Sequence, residues 1–372
     1  MIKNIHIKNF KSIENESVDL DRFSIIVGNN GVGKSNLITA ISLTKDLVAS
    51  LNVNDAVKKF TKTPGEAFYR NSSSDTFDIK ITLVNGDENE YVYEFRVSAQ
   101  KKADNNLELV VVYEKLTASD PTGESREVFI RNNSELLNSE SKAIPLLISD
   151  YQTAISQYKN PDAQKVRSIL GKTYVPVIDL SVLVEKVEDL IYRITKVPEK
   201  YEKFMVMTKK LLPSLNSFEH IVAPANTTQL AGIDEYVVLF TEKNMRGRLS
   251  FKAISHGDLR TLYYLAAGVI SDDYSTFVFD EIENGIHPER ILKIINFVDN
   301  ISRTTNKQFV FSTHSTAIIN KVRPQDVIYV GKDPIKGSRF TGLKDSEQIS
   351  QVTKVLAEGG DLSEYLQARY SK

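Results

Sequence analysis

The sequence predicts an α/β fold in which a largely parallel sheet is interrupted by an antiparallel β subdomain and a helical insertion. Three observations carry that expectation. Short apolar runs from Thr276 to Phe279, Phe309 to Phe311 and Val327 to Val330 are spaced by helical segments, as in a parallel sheet covered on both faces. A fully apolar run, Phe23 to Val27, leads through a glycine-rich turn into a segment with helical spacing. Between Phe77 and Ile130, apolar residues recur instead at strand spacing, with Asn, Asp and Gly between the runs.

Taken in order, Ile2, Ile5, Ile7 and Phe10 sit among polar residues and read as a strand, expected to share a sheet with Phe23–Val27. Leu37, Ala40, Ile41, Leu47 and Val48 lie on one face of a helix directly behind the glycine-rich turn. Phe77, Ile79 and Ile81, then Tyr91, Tyr93 and Phe95, then Leu107 to Tyr113 form the antiparallel strands. From about Ser134 to Leu215 helical periodicity returns, with Pro145, Pro176, Pro198 and Pro213 as expected helix boundaries. Two strand-like pieces follow, Tyr236 to Phe240 and Leu249 to Ile254, and then a helix marked by Leu259, Leu262, Tyr263, Ala266 and Ile270. The expected division is residues 1–75 as the first part of the core, 76–133 as the β subdomain, 134–215 as the helical insertion and 216–372 as the second part of the core.

Composition removes several function classes. A formal net charge of -1 over 372 residues provides no global cationic field, so any nucleic-acid contact must come from a local basic patch. The absence of cysteine excludes disulfides, thiolate nucleophiles and sulfur-ligated zinc, and suits a cytoplasmic protein. The opening MIKNIHIKNFKSI lacks the continuous apolar stretch of a secretory signal and is expected to be mature protein. The apolar run Leu262 to Ile270 is far shorter than the roughly 20 residues a membrane span requires.

Chemistry concentrates in four places. Gly28 to Ser35 fits G-x-x-x-x-G-K-[ST] in the strand–loop–helix context that this phosphate-binding pattern needs. Asn29, Asn30, Gly31, Val32, Gly33, Lys34, Ser35 and Asn36 are therefore expected at the nucleotide. Gly31 and Gly33 let backbone N–H groups turn inward around phosphate oxygens, and the helix start adds its positive dipole end. Lys34 would reach the terminal phosphates, and the Ser35 hydroxyl would ligate magnesium.

The apolar strand Phe277–Phe279 then delivers Asp280 and Glu281 at its carboxyl end. Successive side chains point apart, so Asp280 is expected in the magnesium shell and Glu281 at the attacking water as general base. Acids after a strand can also do no more than cap a helix; the phosphate loop in the same chain favours the catalytic alternative. His314, after Phe309–Phe311, is placed to sense or stabilise the terminal phosphate, with a helix cap or a satisfied core histidine as the structural alternative. Ser255-His256-Gly257-Asp258 precedes an amphipathic helix and offers a second helix end suited to phosphate, although alone it is simply a capped helix.

With these elements in this order, the chain resembles the ABC-type ATPases of the RecF, SMC and OLD-like group, and particularly the compact AAA15 or AAA-ATPase-like members. The matching stretches are IHIKNFKSIENESVDL with IIVGNNGVGKSNLITAI, then ISHGDLR, FVFDEIENGIHP, FVFSTHS and the tail LSEYLQARY. The resemblance implies a P-loop ABC-type core using ATP and Mg2+, with catalytic Lys34, Glu281 and His314, the last as the switch residue. It further implies that ISHGDLR is the signature motif, so that Ser255 and Gly257 would act in trans on ATP held by the other protomer of a homodimer. A D-loop would follow around Glu283 to His287, and Phe68 to Ser73 is one candidate for the Q-loop.

SHGD where transporter ATPases carry an LSGGQ-like sequence argues against a membrane-coupled engine. Asn306-Lys307 continues into Gln308-Phe309 rather than a guanine-specifying N-K-x-D, which favours ATP over GTP. No segment after the His314 strand is long enough for the TOPRIM nuclease domain that many OLD-like relatives carry. The resemblance therefore implies an ATP-driven switch acting on a separately encoded effector, such as a nuclease in antiphage defence. A DNA-repair or chromosome-maintenance ATPase with DNA as partner is the alternative, and a non-hydrolysing scaffold is a third.

Overall fold

The computed structural model describes residues 1–86, 88–102, 106–145, 148–176, 180–222, 236–269, 274–343 and 346–370. In chain order the elements are β1 (Ile2–Phe10), β2 (Ile13–Asp19), β3 (Phe23–Val27), α1 (Lys34–Val48), α2 (Val53–Lys58), β4 (Thr76–Val84), β5 (Glu90–Lys101), β6 (Leu107–Ser119), β7 (Ser125–Asn132) and β8 (Glu135–Asn138). There follow α3 (Pro161–Gly171), β9 (Thr173–Tyr174), α4 (Leu180–Thr195), α5 (Pro198–Leu211), β10 (Leu215–Val222), β11 (Tyr236–Glu242), β12 (Leu249–Ser250) and α6 (His256–Val269). The remainder is β13 (Thr276–Phe279), α7 (Pro288–Thr304), β14 (Gln308–Thr313), α8 (Thr316–Ile319), β15 (Val327–Asp333), β16 (Gly337–Gly342), α9 (Ser346–Ala357) and α10 (Leu362–Tyr370).

The chain divides into two compact units. The first comprises residues 1–175, 274–282 and 305–372 and contains a 13-stranded sheet in the order β8-β7-β6-β5-β4-β1-β2-β16-β15-β3-β14-β13-β9. Strands β15, β3, β14, β13 and β9 run parallel to one another, whereas β8 to β2 form one continuous antiparallel extension. Two kinds of sequence thus build one sheet. β3 is buried at all five positions because both its faces are covered, while β4 and β5 alternate buried with less buried residues. α1 presents Leu37, Ala40, Ile41, Leu47 and Val48 to the core, and Ile2, Ile5, Ile7, Phe77, Ile79 and Phe95 pack in the same cluster.

Caps and prolines set several helix starts. Asn52 accepts the Asn54 N–H before α2, and Asn160 accepts the Asp162 and Ala163 N–H groups before α3. Pro161 and Pro198 occupy first-turn positions in α3 and α5, where a missing N–H costs nothing. Pro145 bounds no helix among the described residues: Ala143 instead bridges back to Leu137. Segment 134–215 contains α3, α4 and α5 as expected from its periodicity, but also β8 and the short β9, which pairs with β13.

The second unit comprises residues 176–273 and 283–304. It holds α4, α5, α6 and α7 with a three-stranded antiparallel sheet in the order β10-β11-β12. Its core includes Phe204, Phe218, Phe240 and Phe251, with Phe218 stacked on Phe251 at 5.9 Å. The expected strand Leu249 to Ile254 is cut to β12, because Phe251 turns into a 3-10 segment and buries its ring against Phe218 and Phe240. β10 begins where the helical segment was expected to end and has no counterpart in the sequence reading. Helix α6 contains Leu259, Leu262, Tyr263 and Ala266; Ile270 lies outside the described residues.

Candidate functional site

The parallel order of β3, β14 and β13 assembles the site in the first unit. Thr313 pairs with Val27, and Phe311 pairs with Phe279, so the three strands release their chains at one end of the sheet. Gly28 follows β3, Asp280 follows β13 and His314 follows β14. With adjacent strands about 4.8 Å apart, β3 and β13 stand roughly 10 Å apart across β14, a span suited to a triphosphate and its attacking water. The crevice at strand carboxyl ends is also where open α/β sheets take their ligands.

The loop itself is strongly curved. Gly31 and Gly33 have φ values of 78° and 111°, in the left-handed region that favours glycine. At Gly33 a Cβ would also collide with the Ser338 hydroxyl, so that position is closed to other residues twice over. Lys34 opens α1 and is buried, and its ammonium donates to the Gly28 carbonyl at 2.7 Å and the Asn29 carbonyl at 2.9 Å. Its charge is thereby held inside the loop. Asn29, Asn30, Gly31 and Ser35 are exposed, while Val32, Gly33 and Asn36 are half-buried.

Asp280 and Glu281 are bound to the next strand through one hydroxyl. Ser312 accepts the Glu281 N–H at 2.8 Å and donates to the Asp280 carboxylate. Ile282 N–H adds a bond to the Ser312 carbonyl at 3.2 Å. Glu281 has φ 48°, an uncommon conformation for a non-glycine residue that costs on the order of 1 kcal/mol and clusters at working sites. His314 is exposed at the end of β14. Among the described residues no group of three His, Asp or Glu side chains could hold a metal. The Ser35 hydroxyl and Asp280 carboxylate are hard oxygen donors and fit magnesium, which commonly takes one or two carboxylates and completes its shell with phosphate oxygens and water.

A cavity of about 370 Å³ borders the same helix and is lined in part by Lys11, Ser12, Asn36, Phe68, Tyr69 and Lys332. Burial lowers the Lys11 pKa below the ordinary lysine value, with Glu66 opposing the shift. The Q-loop candidate Phe68 to Ser73 therefore supplies Phe68, Tyr69, Arg70 and Asn71 to the lining of this cavity, and the Tyr69 hydroxyl donates to the Ile335 carbonyl at 2.5 Å. Nothing in the sequence pattern points to Ser338, while Ser12 and Ser312 stand within the stretches IHIKNFKSIENESVDL and FVFSTHS with no role of their own assigned there. Ser312 lies two residues before His314 and could have been found there, but Ser338 sits in no motif.

Ser255 and Gly257 belong to the second unit. Ser255 accepts the Asp258 N–H at 3.2 Å and caps α6. A Cβ on Gly257 would lie 2.5 Å from the Gly285 carbonyl oxygen, so glycine is needed here for a close backbone approach within the unit. Arg260 donates to the Asn284 carbonyl at 2.9 Å, and Arg290 pairs with Asp258. These contacts join the start of α6 to the 283–290 segment.

Residues 23–320 match the AAA_21 family, described as "AAA domain, putative AbiEii toxin, Type IV TA system". The match covers most of the sequence, and the chain belongs to this family. A Helicobacter pylori (strain ATCC 700392 / 26695) protein named "ATP/GTP phosphatase" is 23% identical over 368 residues, covering 94% of each chain. Among solved structures, an SMC head bound to the C-winged helix domain of ScpA superposes with a TM-score of 0.57 at 14% identity, covering 94% of this chain and 99% of that one. A second SMC head, with an extended coiled coil and bound to the C-terminal domain of ScpA derived from Pyrococcus furiosus, gives 0.50 at 15% identity over 96% and 98%. The fold is thus that of the SMC heads.

Proposed function

We propose that this AAA_21 member binds and hydrolyses ATP with magnesium, and that the nucleotide drives two copies together. The carrying observation is the convergence of the phosphate loop, Asp280–Glu281 and His314 at the ends of three adjacent parallel strands. Loop amides and Lys34 bind the triphosphate, and the cavity beside Asn36 takes the nucleoside half. Ser35 and Asp280 would hold magnesium, which when bound neutralises developing charge on the phosphate oxygens. Glu281 orients water in line with the terminal phosphorus and accepts its proton, a role typically worth 10²–10⁴-fold. His314 donates to the terminal phosphate as charge accumulates there.

Ser255 and Gly257 would close the pocket of the opposite copy, the helix end meeting the phosphates. The output is control of a separately encoded effector such as a nuclease, a reading supported by membership of a family that includes a type IV toxin–antitoxin component. The relative named a phosphatase of ATP and GTP supports hydrolysis as the activity. No helix among the described residues is long and apolar enough to cross a membrane, and a cytoplasmic location is part of the proposal.

Phosphate release by the purified chain with Mg-ATP, alone and with products of neighbouring genes, tests the reading. Chromatography of Glu281→Gln with and without ATP tests the dimer. A chain inert toward ATP under every one of these conditions would end the proposal. The SMC-head fold keeps DNA in view as the alternative partner, although fold alone does not assign function. DNA stimulation that fades steeply with added salt would favour that alternative.

A further inference from the structure

The geometry points to Ser338, on β16, as the positioning residue that aims the Gly33 amide into the phosphate site. This inference rests on the nucleotide reading above and extends it to a residue more than 300 positions from the loop in sequence.

Four polar groups form a chain whose direction is fixed. Ser338 Oγ lies 2.6 Å from the Val32 carbonyl oxygen, which can only accept, so the Ser338 proton points there. Ser12 Oγ, 2.5 Å from Ser338 Oγ, must therefore be the donor of that pair. Asn36 Nδ2 donates to Ser12 Oγ at 2.6 Å and completes the series Asn36, Ser12, Ser338, Val32. The backbone reinforces it: Ser338 N–H donates to the Ser12 carbonyl at 2.8 Å, and Ser338 is fully buried.

The consequence follows from peptide planarity. There is no cis peptide among the described residues, so the Val32 carbonyl and the Gly33 N–H lie in one peptide plane and point in opposite directions. Holding the carbonyl outward against Ser338 presents the N–H on the other side. That N–H has no protein acceptor among the described residues, as expected of a group kept for a ligand oxygen. Gly33 is also the one loop glycine whose added Cβ would strike the Ser338 and Ser12 hydroxyls, so the loop is packed directly on this chain of bonds. Ser338 touches no substrate in this scheme; it acts through the Val32–Gly33 peptide.

The test compares wild type, Ser338→Ala and Ser12→Ala by calorimetric titration with Mg-ATP and by amide NMR of glycine-labelled protein. Removing the Ser338 hydroxyl releases the peptide plane, and Mg-ATP affinity is expected to fall about tenfold, in keeping with loss of one hydrogen bond to a charged group. The Gly33 N–H resonance, displaced by Mg-ATP in wild type, should lose most of that displacement. Ser12→Ala leaves the Ser338–Val32 bond and should lose about threefold by the same scale. Wild-type affinity and an undiminished Gly33 displacement in Ser338→Ala overturn the inference, whatever its melting temperature. Should that variant melt below the assay temperature, wild-type affinity with an undiminished Gly33 displacement in Ser338→Cys, whose thiol is only a weak donor, overturns it instead. A wild-type chain that takes up no nucleotide overturns the parent reading and this one together.

Discussion

The Ser312 hydroxyl accepts the Glu281 N–H at 2.8 Å while donating to the Asp280 carboxylate, so a single side chain on β14 sets both acids that end β13. Ser312→Ala removes this tie with little change in volume. Turnover is expected to fall about 10- to 100-fold while nucleotide affinity changes less than about threefold, as for a group that positions the transition-state machinery rather than the ground state. Steady-state phosphate release alongside titration with ATP measures the two effects separately.

Glu281→Gln keeps the size and the left-handed backbone position but removes the base. ATP binding should persist, hydrolysis should drop by on the order of 100-fold, and the ATP-bound dimer should live longer. Single-turnover hydrolysis and size-exclusion chromatography provide the check, and undiminished turnover would contradict the assignment.

Lys34→Ala acts on binding itself. The ammonium that bridges the Gly28 and Asn29 carbonyls is the buried charge nearest the loop interior, and its loss should weaken Mg-ATP binding by about 10- to 100-fold. Calorimetry on the nucleotide and on adenosine would separate loss of phosphate contacts from general collapse, since adenosine affinity should hardly move.

A stability prediction concerns the antiparallel extension. Arg131 and Glu114 are buried together at 3.0 Å, and Glu114 also accepts from Tyr93, Ala154 and Ile155. Arg131→Met strands a buried carboxylate and should cost about 3–5 kcal/mol in denaturant unfolding. Burial already raises the Glu114 pKa above its usual 4.5, against the opposing pull of the Ala154 N–H and Arg131. Removing Arg131 raises it further. A carboxyl with a raised folded-state pKa binds more protons folded than unfolded, so stability declines as pH rises through the interval between the two values. The variant's deficit should accordingly be smaller near pH 4.5 than near pH 7.5.

The parallel core was legible because its information is local. Phe23–Val27, Thr276–Phe279 and Phe309–Phe311 are apolar at every or nearly every position, and the phosphate loop announces the crevice they share. Leu249–Ile254 was misread because a 3-10 segment burying Phe251 carries the same apolar signature as a strand end. β10 was missed because its alternation follows directly on a helix without glycine punctuation, only Pro213 intervening. Ser338 and Ser12 escaped for a different reason: both are ordinary hydroxyl residues whose significance arises only when β16 is laid beside β2. Gly257 was read for a ligand, and the structure adds a local requirement, the nearby Gly285 carbonyl.

Strand β3 has β14 on one side and β15 on the other, and both are encoded roughly 280 residues or more downstream of it. During synthesis, a nascent chain that has not yet delivered Phe309 to Val330 gives β3 no sheet neighbour at all. Contacts of such long sequence separation form late and slowly. A growing or prematurely terminated polypeptide thus carries the glycine loop without the means to hold it, and nucleotide competence arrives only near the end of translation.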